Sequence, residues 1–141
     1  MFASLGSLGA VEGARVLDLF AGTGALGIEA LSRGAAHATF VDDDPTAVAT
    51  IRVNLSSTGL DAAASVLRSD VLAYLDSTRD EFDLVVADPP YAFDGWDVLV
   101  ERLPAPLAAL ESGGPVEAGP AWETIRSRRY GDTTVTIARR R

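Results

Sequence analysis

Short apolar runs alternate with helix-forming segments along this chain, and acids gather where the runs end. Val16-Leu-Asp-Leu-Phe20 leads into the glycine turn Ala21-Gly-Thr-Gly24. Helix formers then fill Ala25–Ser32, and Gly34 is a natural stop. His37–Asp44 reads as a second strand ending in three acids. Asp44 and Pro45 read as an N-cap followed by proline at the first helical position, opening a helix that Gly59 closes. Ala64–Asp70 is a third strand, Val71–Ser77 a short helix and Phe82–Pro90 a fourth strand. Trp96–Leu103 has helical spacing, is broken at Pro104 and Pro106, and can resume as far as Leu110. Glu123–Arg140 holds two β-rich runs around Tyr130-Gly-Asp132, a hairpin signal. Strands alternating with helices at this spacing predict an α/β fold: a doubly wound, mainly parallel sheet ending in an antiparallel hairpin. Its ligand site is expected at the carboxyl ends of the strands.

Length and composition narrow the class. A chain of 141 residues fits one domain with a core of its own. It has no cysteine, which excludes disulfides and thiol chemistry and fits a reducing compartment. No apolar run reaches membrane-span length and no signal peptide is visible, so a cytoplasmic location and no membrane partner are expected. His37 is the only histidine, so converging metal ligands are lacking and no metal is expected. A monomer is the plain expectation. Net charge is −8, which opposes non-specific nucleic-acid binding. Yet six of the twelve arginines lie between Arg126 and Arg141, either as a phosphate-pairing patch or as a solvated edge strand.

The acids carry the chemistry. In Asp18–Gly27 the glycines Gly22 and Gly24 let backbone approach a ligand closely, although a plain βα turn uses the same residues. Asp18 would repel a pyrophosphate and suits a ligand with a positive group, such as an amino acid's ammonium. Asp42 follows the glycines by about twenty residues, where a carboxylate can accept both hydroxyls of a ribose. Asp43 and Asp44 can instead serve as helix-capping acids, and the cap is favoured for Asp44. Asp70 either accepts an adenine's exocyclic amine or caps the next helix. Taken together, Asp18, Asp42 and Asp70 fit a cofactor with an amino-acid end, a ribose and an adenine but no phosphates. S-adenosylmethionine is such a molecule.

The fourth acid opens Asp88-Pro-Pro-Tyr91. An exocyclic base amine is a poor nucleophile because its lone pair is delocalised into the ring. Acceptors for its two N–H bonds favour the pyramidal geometry that methylation needs. Asp88 supplies one acceptor and the Pro89 carbonyl the other, while Pro90 keeps the turn rigid. Tyr91 offers a flat face for an extruded base. A simple strand-ending turn would also use these residues.

These motifs resemble the class I S-adenosylmethionine-dependent methyltransferases, and more narrowly the RsmD family of bacterial 16S rRNA guanine-N2 methyltransferases. Asp18–Ala35 is similar to that family's first motif and following helix, Phe40–Asp44 to its acid-bearing second strand, and Arg128–Arg140 to its carboxyl-terminal hairpin. The resemblance implies methyl transfer from S-adenosylmethionine to the N2 amine of a guanine in 16S rRNA, on the assembled or assembling small subunit. It implies that Asp18, Gly22 and Gly24 surround the cofactor's methionine part, with Phe20 and Ala21 in the same motif. Asp42, with Asp43 beside it, is implied to hold the ribose, and Asp70 and Val71 the adenine. Asp88, Pro89, Pro90 and Tyr91 are implied to face the base. A single catalytic domain over residues 1–141 is expected, without the basic amino-terminal hairpin usual in the family; Met1–Leu5 is similar to the helix that follows it. A fifth strand ending in Glu is expected between Leu110 and Trp122, with Pro115–Glu117 its one candidate.

Rival readings remain at this point. They are N6-adenine methylation of DNA or RNA, a non-catalytic ribosome assembly factor on the same fold, and a nicotinamide-dependent dehydrogenase, which Asp18 opposes. His37, Trp96 and Trp122 are expected to pack rather than react, with Trp96 near enough to Tyr91 to shape a pocket mouth. Phe20 and Phe40 also fit the core, and Phe93 and Asp94 fit a loop closing over the base.

Overall fold

The computed structural model describes residues 1–141. In chain order the elements are α1 (Phe2–Ser7), β1 (Arg15–Leu19), α2 (Ala25–Ser32), β2 (His37–Asp42), α3 (Pro45–Thr58), β3 (Ala64–Arg68), α4 (Val71–Ser77), β4 (Leu84–Ala87), α5 (Trp96–Arg102), β5 (Leu107–Ser112), β6 (Trp122–Tyr130) and β7 (Thr133–Arg140). One seven-stranded sheet has the order β3-β2-β1-β4-β5-β7-β6. The first five strands are mutually parallel; β7 runs antiparallel to both β5 and β6. The chain winds outward from β1 in one direction and from β4 in the other, so the switch point lies between them, where α/β sheets open a crevice. This is the expected doubly wound architecture with its terminal hairpin, and no helix is long and apolar enough to cross a membrane.

Strand periodicity sorts the core onto two faces. Leu17, Leu19, Val41, Val85, Ala87, Ala108 and Leu110 belong to one buried cluster, with α4 and α5 residues. Val16, Phe40, Leu84, Val86, Ala109 and Ile137 belong to the other, with residues of α1, α2 and α3. The central strands are nearly continuous apolar runs because both faces are covered, as parallel sheets require. Local signals agree at the helix starts. Asp44 accepts the Thr46 N–H at 2.9 Å and Pro45 follows it, as expected of a cap, and Gly59 ends that helix.

Three boundaries differ from expectation. β2 ends at Asp42, β3 at Arg68 and β4 at Ala87, so Asp43, Asp44, Asp70 and Asp88 stand on the connections beyond the strands. The larger correction concerns the fifth strand. It is Leu107–Ser112, not Pro115–Glu117, and no helix resumes toward Leu110. Leu-Ala-Ala-Leu-Glu favours helix by intrinsic propensity, but a slot between β4 and β7 makes it extended. Ala108 and Ala109 are both fully buried there. Pro115–Glu117 is loop, with Val116 turned into the core.

Candidate active site

Sheet register brings the acids to one rim. Leu19 pairs with Val41 on one side and Ala87 on the other, and Ala87 pairs with Leu110. The next residues along these strands are Asp42, Asp88 and Glu111. By alternation they share the face of Phe40, Val86 and Ala109. Asp18 lies on that face too, paired with Phe40 and Val86.

Backbone donors hold the acids of the β1–β3 side. Asp18 is buried, and its Oδ2 accepts the Gly27 N–H at 2.9 Å. Burial pushes its carboxyl well above the ordinary range; the Gly27 bond pulls the other way, and the charges of Asp88, Asp42 and Glu111 raise it further. Asp42 ties two turns together: Oδ2 accepts from Gly22 N at 2.9 Å and Oδ1 from Asp44 N at 3.0 Å. Asp70 accepts the Ala73 N–H at 3.0 Å, so it caps α4; the capping alternative holds, and its second oxygen has no such bond. Asp43 is exposed, and its carbonyl accepts from Arg68. Val71 is buried at the start of α4.

The glycine turn is shaped for close approach. Gly22 has φ 59°, and a Cβ there would meet no protein atom nearer than the Phe20 carbonyl at 4.0 Å. Its surroundings are therefore open, and only its backbone demands glycine. Gly27 is the reverse case. A Cβ there would come 2.4 Å from the Phe40 ring and 3.1 Å from Asp18 Oδ2, so glycine lets α2 lie against both. Phe20 is the one non-glycine residue with positive φ, at 56°. A bulky residue is strained there. The twist swings its ring off the acids' face, against Phe93 at 5.1 Å between centroids. Asn54 of α3, which the sequence reading passed over, donates to the Thr23 carbonyl at 2.9 Å and pins the turn from above.

The β4–β5 side is a cavity of about 640 Å³. Asp88, Pro89, Pro90 and Tyr91 form one wall, Glu111–Val116 the other, and Trp96 and Thr133 complete it. Trp96 thus does shape the mouth, edge-on to Phe93 at 5.3 Å, while Trp122 is buried with its indole N–H on the Val100 carbonyl. Tyr91 is 78% exposed although its ring edge lies over Gly113. Asp88 and Glu111 line the same cavity, and burial raises both carboxyls above their ordinary range. Glu111 draws the Asp88 carboxyl back down, and the Asp88 charge pushes Glu111 further up. Asp18, Asp42 and Asp70 do not line this cavity. Glu111 was missed because its strand was missed; the Glu expected at that strand's end was the available signal.

Fold and rim together define a doubly wound α/β protein with an acidic ligand crevice at its switch point. The chain belongs to the family described as Conserved hypothetical protein 95, whose model matches residues 1–139. It is 46% identical over 83 residues to YlbH of Bacillus subtilis (strain 168), provisionally named as an rRNA methyltransferase, covering 57% of this chain and 45% of that one. It is 35% identical over 82 residues to the Ribosomal RNA small subunit methyltransferase D of Buchnera aphidicola subsp. Acyrthosiphon pisum (strain APS), covering 57% and 42%. These matches span less than half the length of either curated relative. A conserved hypothetical protein of Streptococcus pyogenes superposes with a TM-score of 0.87 at 29% identity, over 99% of this chain and 94% of that one.

Proposed function

We propose that this chain transfers a methyl group from S-adenosylmethionine to the exocyclic N2 amine of a guanine in 16S rRNA. The observation that carries the reading is the divided rim. On one side acids are fixed by backbone donors around an open glycine turn; on the other, Asp88-Pro-Pro-Tyr91 walls a cavity beside an exposed ring. The named relatives, rRNA methyltransferases, support the substrate class.

The residues fit the cofactor on chemical grounds. The rim is acidic, without basic residues among Asp18–Gly27, so it suits an ammonium and a sulfonium rather than a pyrophosphate. A Cβ at Gly22 would meet nothing nearer than the Phe20 carbonyl at 4.0 Å, so a ligand can approach that backbone closely. Asp18, Phe20, Ala21, Gly22 and Gly24 would hold the methionine end, Asp42 and Asp43 the ribose, and Asp70 and Val71 the adenine. When bound, the cofactor supplies an electrophilic methyl group on a sulfonium.

The chain's own residues do the rest. Tyr91 stacks the base, as its exposure permits. Asp88 and the Pro89 carbonyl accept the two N–H bonds of the amine. That draws the lone pair out of conjugation and steadies the positive charge growing on nitrogen. Asp88 then takes the proton released when the product amine returns to neutrality.

Nucleoside mass spectrometry on rRNA from a parent strain and a strain lacking this gene tests the reading. One N2-methylguanosine should vanish from small-subunit rRNA and return with the wild-type gene but not with Asp88→Ala. An unchanged small subunit, or a loss found in large-subunit rRNA or as N6-methyladenosine instead, overturns it. Rescue of cell growth by Asp88→Ala would favour an assembly factor.

A further inference from the structure

We infer that Glu111 reads the ring N1–H of the target guanine and is the residue that selects guanine over bases whose N1 is an acceptor. The inference rests on the guanine-N2 reading above and deepens it. Register puts Glu111 in the row of Asp88, one step beyond the Ala87–Leu110 pair, on the same face of the sheet. Both residues line one cavity, and the exposed Tyr91 ring stands in the same cavity. The ring points to a planar ligand independently of the acids.

Guanine presents two donors side by side on its Watson–Crick edge, at N2 and at N1. Neighbouring acceptors on Asp88 and Glu111 match that edge. Base entry gives each carboxylate a donor from the base: the N2 amine for Asp88 and N1–H for Glu111. Adenine pairs its amine with an N1 acceptor, and so does 2-aminopurine, which keeps guanine's C2 amine. Opposite either, the Glu111 carboxylate would face a lone pair, and an unmatched polar pair in a desolvated site is strongly rejected. Asp-Pro-Pro-Tyr alone serves either amine; Glu111 breaks the tie.

The test uses an RNA carrying the modified site with guanine or 2-aminopurine at the target, and compares kcat/KM for wild type and Glu111→Gln. Wild type should prefer guanine by roughly a hundredfold or more. The glutamine amide can donate to N1 of 2-aminopurine, so the preference should shrink at least about tenfold. Glu111 is only half-buried, so the isosteric change is expected to fold, and Glu111→Ala provides a second variant with the same predicted loss of preference. A wild-type ratio near one overturns the inference, and so does a ratio that neither variant changes. Failure of the guanine-N2 reading looks different: wild type would leave the guanine RNA unmethylated.

Discussion

The two sides of the rim use the same residue type in opposite ways. On the β1–β3 side, Asp18, Asp42 and Asp70 each accept at least one backbone N–H from the turn or helix beside them. On the β4–β5 side, the carboxyls of Asp88 and Glu111 accept no backbone N–H and share a cavity with an exposed tyrosine. Backbone donors are fixed by the fold, so the first set is organised before any ligand arrives. The second set has no backbone N–H donors to hold it and stays open to a ligand's donors. The same kind of cofactor molecule is bound in every turnover, entering as a sulfonium and leaving as a thioether, and suits a preset cradle. A base that must be extruded from RNA suits acceptors still waiting for donors.

The largest effect should come from the waiting side. Asp88→Ala removes the acceptor proposed for the reacting amine and should lower kcat about 10²–10³-fold, while cofactor affinity measured by calorimetry stays at the wild-type value. A parallel loss of cofactor binding would mean that the two sides are not separate. On the preset side the largest effect is on stability. Gly27→Ala drives a Cβ into the Phe40 ring and should cost about 1–3 kcal/mol in thermal or denaturant unfolding. Phe40→Leu in the same chain should recover part of that loss; strict additivity in the double-mutant cycle would show that the ring is not what Gly27 accommodates.

The preset side was legible in the sequence for a physical reason. Its acids are tied to local turns, and local turns leave local signals: glycines at fixed offsets, Asp44 before Pro45, Asp70 before an apolar helix. Half of the waiting side was legible as well, because Asp88-Pro-Pro-Tyr91 is contiguous. Glu111 was not, since its place depends on a strand whose residues favour helix. Only the slot between β4 and β7 extends Leu107–Ser112, and such a tertiary decision leaves no local mark. Asn54 escaped for a related reason. It reaches the glycine turn across 31 residues of sequence, from a helix face that reads as ordinary surface.

A third test separates ring from hydroxyl. Tyr91→Ala should lower kcat/KM for RNA about tenfold, while Tyr91→Phe keeps the stacking face and most of the activity. Neither should shift unfolding by more than about 0.5 kcal/mol, because the side chain is 78% exposed. A large stability change would make Tyr91 a structural residue and weaken the contrast between the two sides.

The smallest effect concerns pH, and it asks what the preset side gives up for being preset. Asp18 is 1% exposed, and burial raises its carboxyl well above the ordinary 3.8. The folded chain therefore holds this proton more tightly than the unfolded chain does. Stability from this group is complete below the ordinary value and is lost as pH rises through the raised one. Asp18→Asn keeps an oxygen for the Gly27 N–H and removes the ionisation. The variant should gain on wild type as pH rises, reaching a few degrees in Tm by neutral pH, at roughly 3 °C per kcal/mol for a domain of this size. It should also bind the cofactor more weakly, because a neutral amide attracts an ammonium less. A Tm difference that stays flat between acid and neutral pH would mean that Asp18 carries no buried charge. A variant both more stable and weaker in binding would mean that the fold tolerates a costly buried carboxylate for the sake of its ligand.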